Sequence, residues 1–228
     1  MNTNVNFAAP LGVLAFLGTG FVLLVAGLFL IYSLVVQKFG RAKIAIVAMA
    51  IAAGLYLGSL LIFSFASSEN VLARGQEKHF CEIDCHLAYS ITDSKQTKTI
   101  GNAPNQATAN GAFTVVTIKT RFDETTIGPN RGNGQLYPNS RVLTVVDEQG
   151  RKYSPSPEGS KALELAGTAG TPIPTPLRPG ESYTTTAAFD LPADVKNPTL
   201  LINEGALETR FIIGHENSLL HKKTRFQL

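Results

Sequence analysis

His79, Cys81, Cys85 and His86 stand within a run of eight residues, and they include both cysteines and two of the four histidines of the chain. Thiols and imidazoles this close together permit three chemistries. The first is a disulfide between Cys81 and Cys85, favoured wherever the segment meets an oxidising compartment. On an extended strand, positions four apart stand ~13 Å apart at ~3.3 Å per residue, whereas a bridge needs Cα atoms within ~7 Å. The bond therefore requires a turn or bulge at Glu82-Ile83-Asp84. The second is a pair of unbonded, buried thiols that pack as small apolar groups. The third is a soft-metal site for copper or zinc, built from thiolates and imidazoles. A straight strand places His79, Cys81 and Cys85 on one face and His86 on the other. A four-ligand set therefore needs a loop, with His215 or His221 available to complete it.

No other stretch carries a recognisable reaction. The sequence contains no G-x-S-x-G, no H-E-x-x-H and no phosphate-cradling glycine loop. His215-Glu216 and His221-Lys222-Lys223 read as solvated edges or turns, Asp123-Glu124 as a solvated pair at a strand end, and Asp147-Glu148 as part of a turn. An enzyme is not expected.

What positions the His/Cys run is set by two charge-free apolar stretches upstream, residues 11–36 and 44–66. A helix rises ~1.5 Å per residue, so about 20 apolar residues span a ~30 Å hydrocarbon core, and both stretches are long enough. They are joined by residues 37–43, which carry Lys38, Arg41 and Lys43, while residues 1–10 carry no side-chain charge. Cations beside membrane spans stay in the cytoplasm. The connector is therefore expected inside, with both chain ends and all that follows the second span outside. The first stretch is too long for a cleaved leader and lacks its basic start. Tyr32 is placed to anchor at the headgroups and Tyr56 to pack mid-span. Gly54 and Gly58 form a G-x-x-x-G that permits close helix approach, within the hairpin or to another chain.

The formal charge of +3 is local to the connector. Three of the 20 basic side chains lie there, so the rest of the chain holds 17 basic and 17 acidic groups. Nucleic-acid binding, which wants a clustered basic surface, is not expected.

Residues 67–76 read as a tether and residues 77–228 as one extracytoplasmic domain. Residues 77–91 alternate apolar and polar with period two and predict a strand. Residues 92–110 are polar and predict a loop. Residues 112–122 and 141–146 predict strands, 147–150 a tight turn, and 151–153 the returning strand. Residues 154–177 predict a proline-rich loop with a short helix over 160–166. Arg178-Pro179-Gly180-Glu181 predicts a turn with positive φ at its third position. Strands follow at 182–189, 199–202, 210–213 and 222–228. Short strands with turn signals between them predict an all-β sandwich.

Asp147, Gly150, Tyr153, Pro179, Gly180 and Phe189 make a pattern of aspartate-x-x-glycine-x-x-tyrosine, then proline-glycine and a strand closing in phenylalanine. It resembles the telokin-like, immunoglobulin-like extracytoplasmic domains of bacterial membrane proteins and lipoproteins, over residues 111–228. The resemblance implies a bacterial, immunoglobulin-like sandwich; with the apolar stretches and connector cations above, the expected architecture is a membrane helical hairpin followed by an all-β immunoglobulin-like sandwich, in the cytoplasmic membrane with both termini and the domain on the periplasmic side. Its shared positions are structural and imply no activity. A second likeness is to cytochrome oxidase subunit II, which joins two membrane helices to an exterior β-domain bearing Cys-x-x-x-Cys. Its copper site also needs a histidine and a methionine where this chain has Tyr89 and Thr92, and its motif falls near the end of the domain.

The expected function is a membrane-anchored binding module that engages a protein or small ligand through residues 128–140 or 154–177, with the bilayer as its other partner and no cofactor. The alternative is a copper- or zinc-binding or redox protein using His79, Cys81, Cys85 and His86.

Overall fold

The computed structural model describes residues 1–6, 9–81 and 85–228, which divide into two compact units. One comprises Val5–Ser68 and Ala206–Lys222; the other comprises Met1–Asn4, Glu69–Gly205 and Lys223–Leu228.

The first unit is a helical hairpin, α1 (Ala9–Val35) and α2 (Phe39–Phe65). Each helix is long and apolar enough to cross a bilayer. Leu11, Leu14, Leu17, Phe21, Leu24, Leu28 and Ile31 recur every three or four residues along α1 and are all exposed. In water such a stripe would be costly, at ~25 cal/mol per Å² of apolar surface; in lipid it is the solvated face. Cβ atoms added at Gly54 and Gly58 would meet nothing within 4 Å, so the G-x-x-x-G face does not pack on α1. The 17 residues of Ala206–Lys222 complete the unit and include a 3₁₀ turn at Glu208–Phe211. The closing strand expected over 210–213 is therefore absent. Thr209 and Ser218 side chains satisfy local carbonyls and hold the chain in turns instead.

The second unit contains two five-stranded mixed sheets. The strands in chain order are β1 (Asn2–Thr3), β2 (Asn70–Leu72), β3 (Lys78–Phe80), β4 (Leu87–Ile100), β5 (Ala107–Phe122), β6 (Arg141–Val146), β7 (Lys152–Tyr153), β8 (Ser182–Leu191), β9 (Thr199–Glu204) and β10 (Thr224–Gln227). One sheet runs β1-β3-β4-β5-β8 and the other β2-β10-β9-β6-β7. The β1–β3 and β2–β10 pairs are parallel and the remaining pairs antiparallel. Both sheets contribute to one core cluster, in which Phe80, Tyr89, Ile118, Phe122 and Phe189 meet Val145, Leu200, Ile202 and Phe226. A short helix, α3 (Pro157–Leu165), covers the other face of the first sheet and buries Ala162 and Leu163 on Phe113, Val115 and Ala188. The Ser156 hydroxyl accepts from the Gly159 N–H and Pro157 opens the helix, the usual chemistry of a helix start.

Three sequence readings change here. Residues 77–91 are not one strand: β3 and β4 are antiparallel partners, with Phe80 opposite Leu87, so the chain reverses between them. Residues 92–110 are mostly strand. Their polar character reflects a solvent-facing stretch of β4, and register shifts at Ile91/Asp93 and Thr97/Thr99 break the alternation that would have revealed it. Within the expected tether, Asn70–Leu72 pairs with Thr224–Phe226 as β2.

The Asp147 turn accounts for the aspartate-glycine-tyrosine spacing. Asp147 Oδ1 accepts from the Gln149 and Arg151 amides, while its Oδ2 binds the Arg151 guanidinium and the Tyr153 hydroxyl. Gly150 takes φ +77° and Gly180 φ +81°, a region closed to most L residues, which is why glycine stands at both turns. Burial would raise the Asp147 carboxyl, but the bonds from Arg151 and Tyr153 hold it below its ordinary range.

Candidate functional site

Cys81 and Cys85 are joined by a disulfide, with Cα atoms 3.9 Å apart. The objection from strand geometry dissolves because the chain reverses between β3 and β4, bringing positions four apart together. The turn or bulge expected at Glu82-Ile83-Asp84 lies outside the described residues. The Cys81 amide donates to Asn4 Oδ1 at 2.7 Å, and the Asn4 amide to the His79 carbonyl at 3.0 Å. Loss of the bridge releases a very short loop. Loop-closure entropy for about five residues sets the cost near 2 kcal/mol. A Cys81→Ser/Cys85→Ser protein should therefore melt about 4–8 °C lower in a domain of this size. The intact mass of the purified protein under non-reducing conditions should lie about 2 Da below that of the reduced chain, the two hydrogens lost on forming an S–S bond.

The His79 ring bonds Asp123 and the His86 ring bonds Thr126. His79 is buried and its Nε2–H donates to Asp123 Oδ2 at 2.8 Å. His86 stacks on Phe122, ring centroids 5.4 Å apart, and its Nδ1 lies 2.6 Å from Thr126 Oγ1. The Thr126 hydroxyl donates to the Asp123 carbonyl, so the imidazole must supply the proton to it. His215 and His221 belong to the helical unit. His215 and Glu216 are buried there, contrary to the solvated reading, and His215 Nδ1 accepts the Asn217 amide. His221 Nδ1 donates to the Lys222 carbonyl.

The group that gathers around His79 consists of Glu77, Arg121 and Asp123. The register explains it. His79, Ala88 and Arg121 are directly opposite one another on β3, β4 and β5 and share a face. The neighbouring row, Phe80, Leu87 and Phe122, points into the core. Ala88 is small, so the Arg121 side chain passes over β4 to reach residues flanking β3. It grips Glu77 through two bonds, Nε to Oε1 at 2.8 Å and Nη2 to Oε2 at 2.7 Å. Its Nη1 lies 3.2 Å from Asp123 Oδ1. Asp123 is buried, correcting the solvated reading, and also accepts from the Thr125 amide and hydroxyl, capping the turn Glu124–Thr126.

Burial pushes the Asp123 carboxyl up, but bonds from Thr125, His79 and Arg121 outweigh it and hold the group well below the carboxylate range. The Arg121 bond lowers Glu77 against a smaller opposing effect of burial. The bond to Glu77 in turn raises Arg121. Ligand atoms of Glu77, His79 and Asp123 lie within 4.8 Å of one another, a spacing able to hold a metal ion. A guanidinium already supplies cationic charge to both carboxylates. His79 Nδ1 is buried with no hydrogen-bond partner among the described residues. Sequence reading found His79 but not Glu77 or Arg121. The signal was present only in the pairing of three strands, and the middle strand begins inside what read as one continuous strand.

Two open grooves lie at the opposite end of the same sheet. One, of about 410 Å³, runs between residues 104–108 and α3, lined by Glu158, Lys161, Ala162 and Leu165. The other, of about 490 Å³, is lined by Asn110, Gly111, Tyr153, Asp190, Pro192 and Ala193.

No family model matches the chain, and no curated protein does. Among solved structures, a secreted protein of Mycobacterium tuberculosis, MPT63, is similar at a TM-score of 0.43 and 14% identity, over 71% of this chain and 98% of that one. A conserved hypothetical protein of Bacillus anthracis is similar at 0.41 and 12%, over 57% and 89%.

Proposed function

We propose that this chain is a membrane-anchored binding module: a helical hairpin in the cytoplasmic membrane carrying an immunoglobulin-like β-sandwich on the extracytoplasmic side. The observation that carries the topology is the pairing of Asn2 and Thr3 with Lys78 and His79. Residues on either side of the hairpin enter one sheet, which supports a reading in which both outer helix ends open toward the same compartment. Lys38, Arg41 and Lys43 are at the other end, where cations are retained in the cytoplasm. The Cys81–Cys85 bridge suits the oxidising side. Two sheets around one core, with tight turns at Asp147 and Gly180, support the sandwich.

The binding surface is the groove between residues 104–108 and α3. It combines an exposed Leu165 with Glu158 and Lys161, the mixture of apolar floor and flanking charge that suits a short polypeptide segment. α3 lies in the 154–177 stretch, where loops carry function on a rigid scaffold. A photocrosslinker at Leu165 in native membranes should give a discrete adduct, lost on adding a Lys161→Glu change. The same group at Val142, on β6, should give none. Identical adducts at both positions would count against the groove.

A second reading, a zinc- or copper-binding protein, draws on the clustering of Glu77, His79 and Asp123. Carboxylate and imidazole suit zinc. In the earlier set of His79, Cys81, Cys85 and His86, thiolates become ligands only after the bridge is reduced. The non-reducing mass measurement tests that set: a bridged, metal-free protein removes it.

A further inference from the structure

Ala206–Lys222 departs from the β-rich unit and joins the helical one. Its contacts with the helices are close. A Cβ on Gly12, at the start of α1, would lie 2.1 Å from the Ile213 carbonyl oxygen, so backbone rests on backbone. The Asn6 amide donates to the Gly214 carbonyl at 3.1 Å, and Val5 bridges His215. The Tyr56 hydroxyl donates to the Phe211 carbonyl, and Phe16 packs on the Tyr56 ring at 6.3 Å.

Those contacts fix a depth. Each helix has 27 residues, ~40 Å at ~1.5 Å per residue, against a hydrocarbon core of ~30 Å. Sharing the excess between the ends leaves ~5 Å of each outside. Tyr56 stands ~14 Å along α2 from Phe65, which places it ~9 Å inside the outer hydrocarbon boundary. The segment that meets Tyr56 lies near that boundary rather than in bulk water.

The segment is built for such a place. Non-helical backbone is tolerated at membrane depth only where its polar groups are satisfied by protein. Here the Ile212 amide donates to Thr209, His215 to Ile212, Ser218 to His215, and Leu219 to Arg210, all through carbonyls. The Thr209 hydroxyl donates to the Ala206 carbonyl, the Ser218 hydroxyl to Ile212, and the Asn217 amide group to Thr209. With its polar groups turned inward, the segment leaves Leu207, Phe211, Leu219 and Leu220 exposed, Leu220 to 66%. Glu208, Arg210 and Lys222 are exposed beside them, the charge that stops deeper entry and suits the headgroup layer.

We propose that Ala206–Lys222 is an interfacial loop that docks into the outer leaflet of the bilayer, with Leu207, Phe211, Leu219 and Leu220 against the acyl chains. The partner is lipid, because the exposed apolar surface continues that of the helices on which the loop is packed. The inference rests on the membrane reading above.

The chain has no tryptophan, so a single one reports its own surroundings. Leu220→Trp, Leu28→Trp in α1 and Tyr137→Trp in the β-rich unit are exposed positions that need no repacking. Each full-length variant is reconstituted in phosphatidylcholine/phosphatidylglycerol vesicles containing lipid brominated on the acyl chains. Leu220→Trp should show at least half the quenching of Leu28→Trp, and Tyr137→Trp almost none. Quenching of Leu28→Trp alone, with Leu220→Trp reached by aqueous acrylamide, overturns the loop and leaves the anchor standing. A Leu220→Trp shielded from both quenchers means that protein covers the loop, and also overturns it. An unquenched Leu28→Trp removes the anchor itself.

Discussion

Arg121→Met should lower the melting temperature of the β-rich unit by about 10 °C at pH 7. The arginine is the only cation among the described residues bonded to both Glu77 and Asp123. Removing one partner of a buried ion pair costs about 3–5 kcal/mol, because the charge left behind is neither solvated nor matched. Here Arg121 and Glu77 side chains are 27% and 29% exposed, so water and salt screen part of that penalty, and about 3 kcal/mol is the appropriate figure. At ~2–4 °C per kcal/mol for a domain of this size, that gives the stated shift. Methionine keeps the aliphatic stem lying over Ala88, which isolates the charge from the packing. The pH dependence gives a second reading of the same experiment. Folded Asp123 and Glu77 both titrate below their ordinary values, so their contribution is fully present above the unfolded pKa values near 4. It is lost as pH falls from there through the depressed folded values. In the variant the carboxylates have lost that support and protonate more readily. The gap between the two proteins should therefore be widest at neutral pH and narrow below about pH 4. A gap independent of pH would mean that the loss is one of packing and not of charge.

The same network shows why some of the molecule could be read from the chain and some could not. The hairpin was legible because each helix is specified by its own composition, and no partner is needed to recognise an unbroken apolar run. The turns at Asp147 and Gly180 were legible because their bonds are local: Asp147 satisfies amides two and four residues on, and glycine meets a positive φ where it stands. The reversal between His79 and Ala88 was not. Phe80 pairs with Leu87, so the reversal puts on one face two residues that a straight strand would put on opposite faces, but three residues of β3 are too few to reveal that shift, and the two cysteines fit either description. Once β3 and β4 are separate, Arg121 falls opposite Ala88 and His79, and the cluster follows. Asp123 looked solvated because a strand-end acid usually is; its three partners come from β3, β5 and the turn that follows. Segment 206–222 misled for a different reason. Phe211-Ile212-Ile213 has strand composition, yet Thr209 and Ser218 capture the Ala206 and Ile212 carbonyls, and the Asn217 amide group donates to the Thr209 hydroxyl that holds the first of them.

That capture leads to the second large effect, expected for Gly12→Leu. The position is the fourth residue of α1, with nothing between its Cα and the Ile213 carbonyl. A flexible side chain could give way, but here the obstacle is backbone, held in place through the hydrogen bonds of the adjoining Ile212 to Thr209 and His215. Overpacking commonly costs about 1–3 kcal/mol, and the upper end applies where nothing nearby can rotate aside. The loop therefore leaves the helix. Released, Ala206–Lys222 loses the Asn6–Gly214 and Tyr56–Phe211 bonds together. Amide exchange at His215, Ser218 and Leu219 should quicken about 100-fold, the ratio that corresponds to about 3 kcal/mol of local opening. The exchange of β4 and β5 amides should not change, since their pairing does not involve α1. Gly12→Ala should show the same pattern with a smaller amplitude, as one methyl still falls inside the Ile213 carbonyl. Slow exchange retained at His215 in Gly12→Leu would show that the loop holds its fold without the helix beneath it, and its seat would then owe nothing to the missing side chain at position 12.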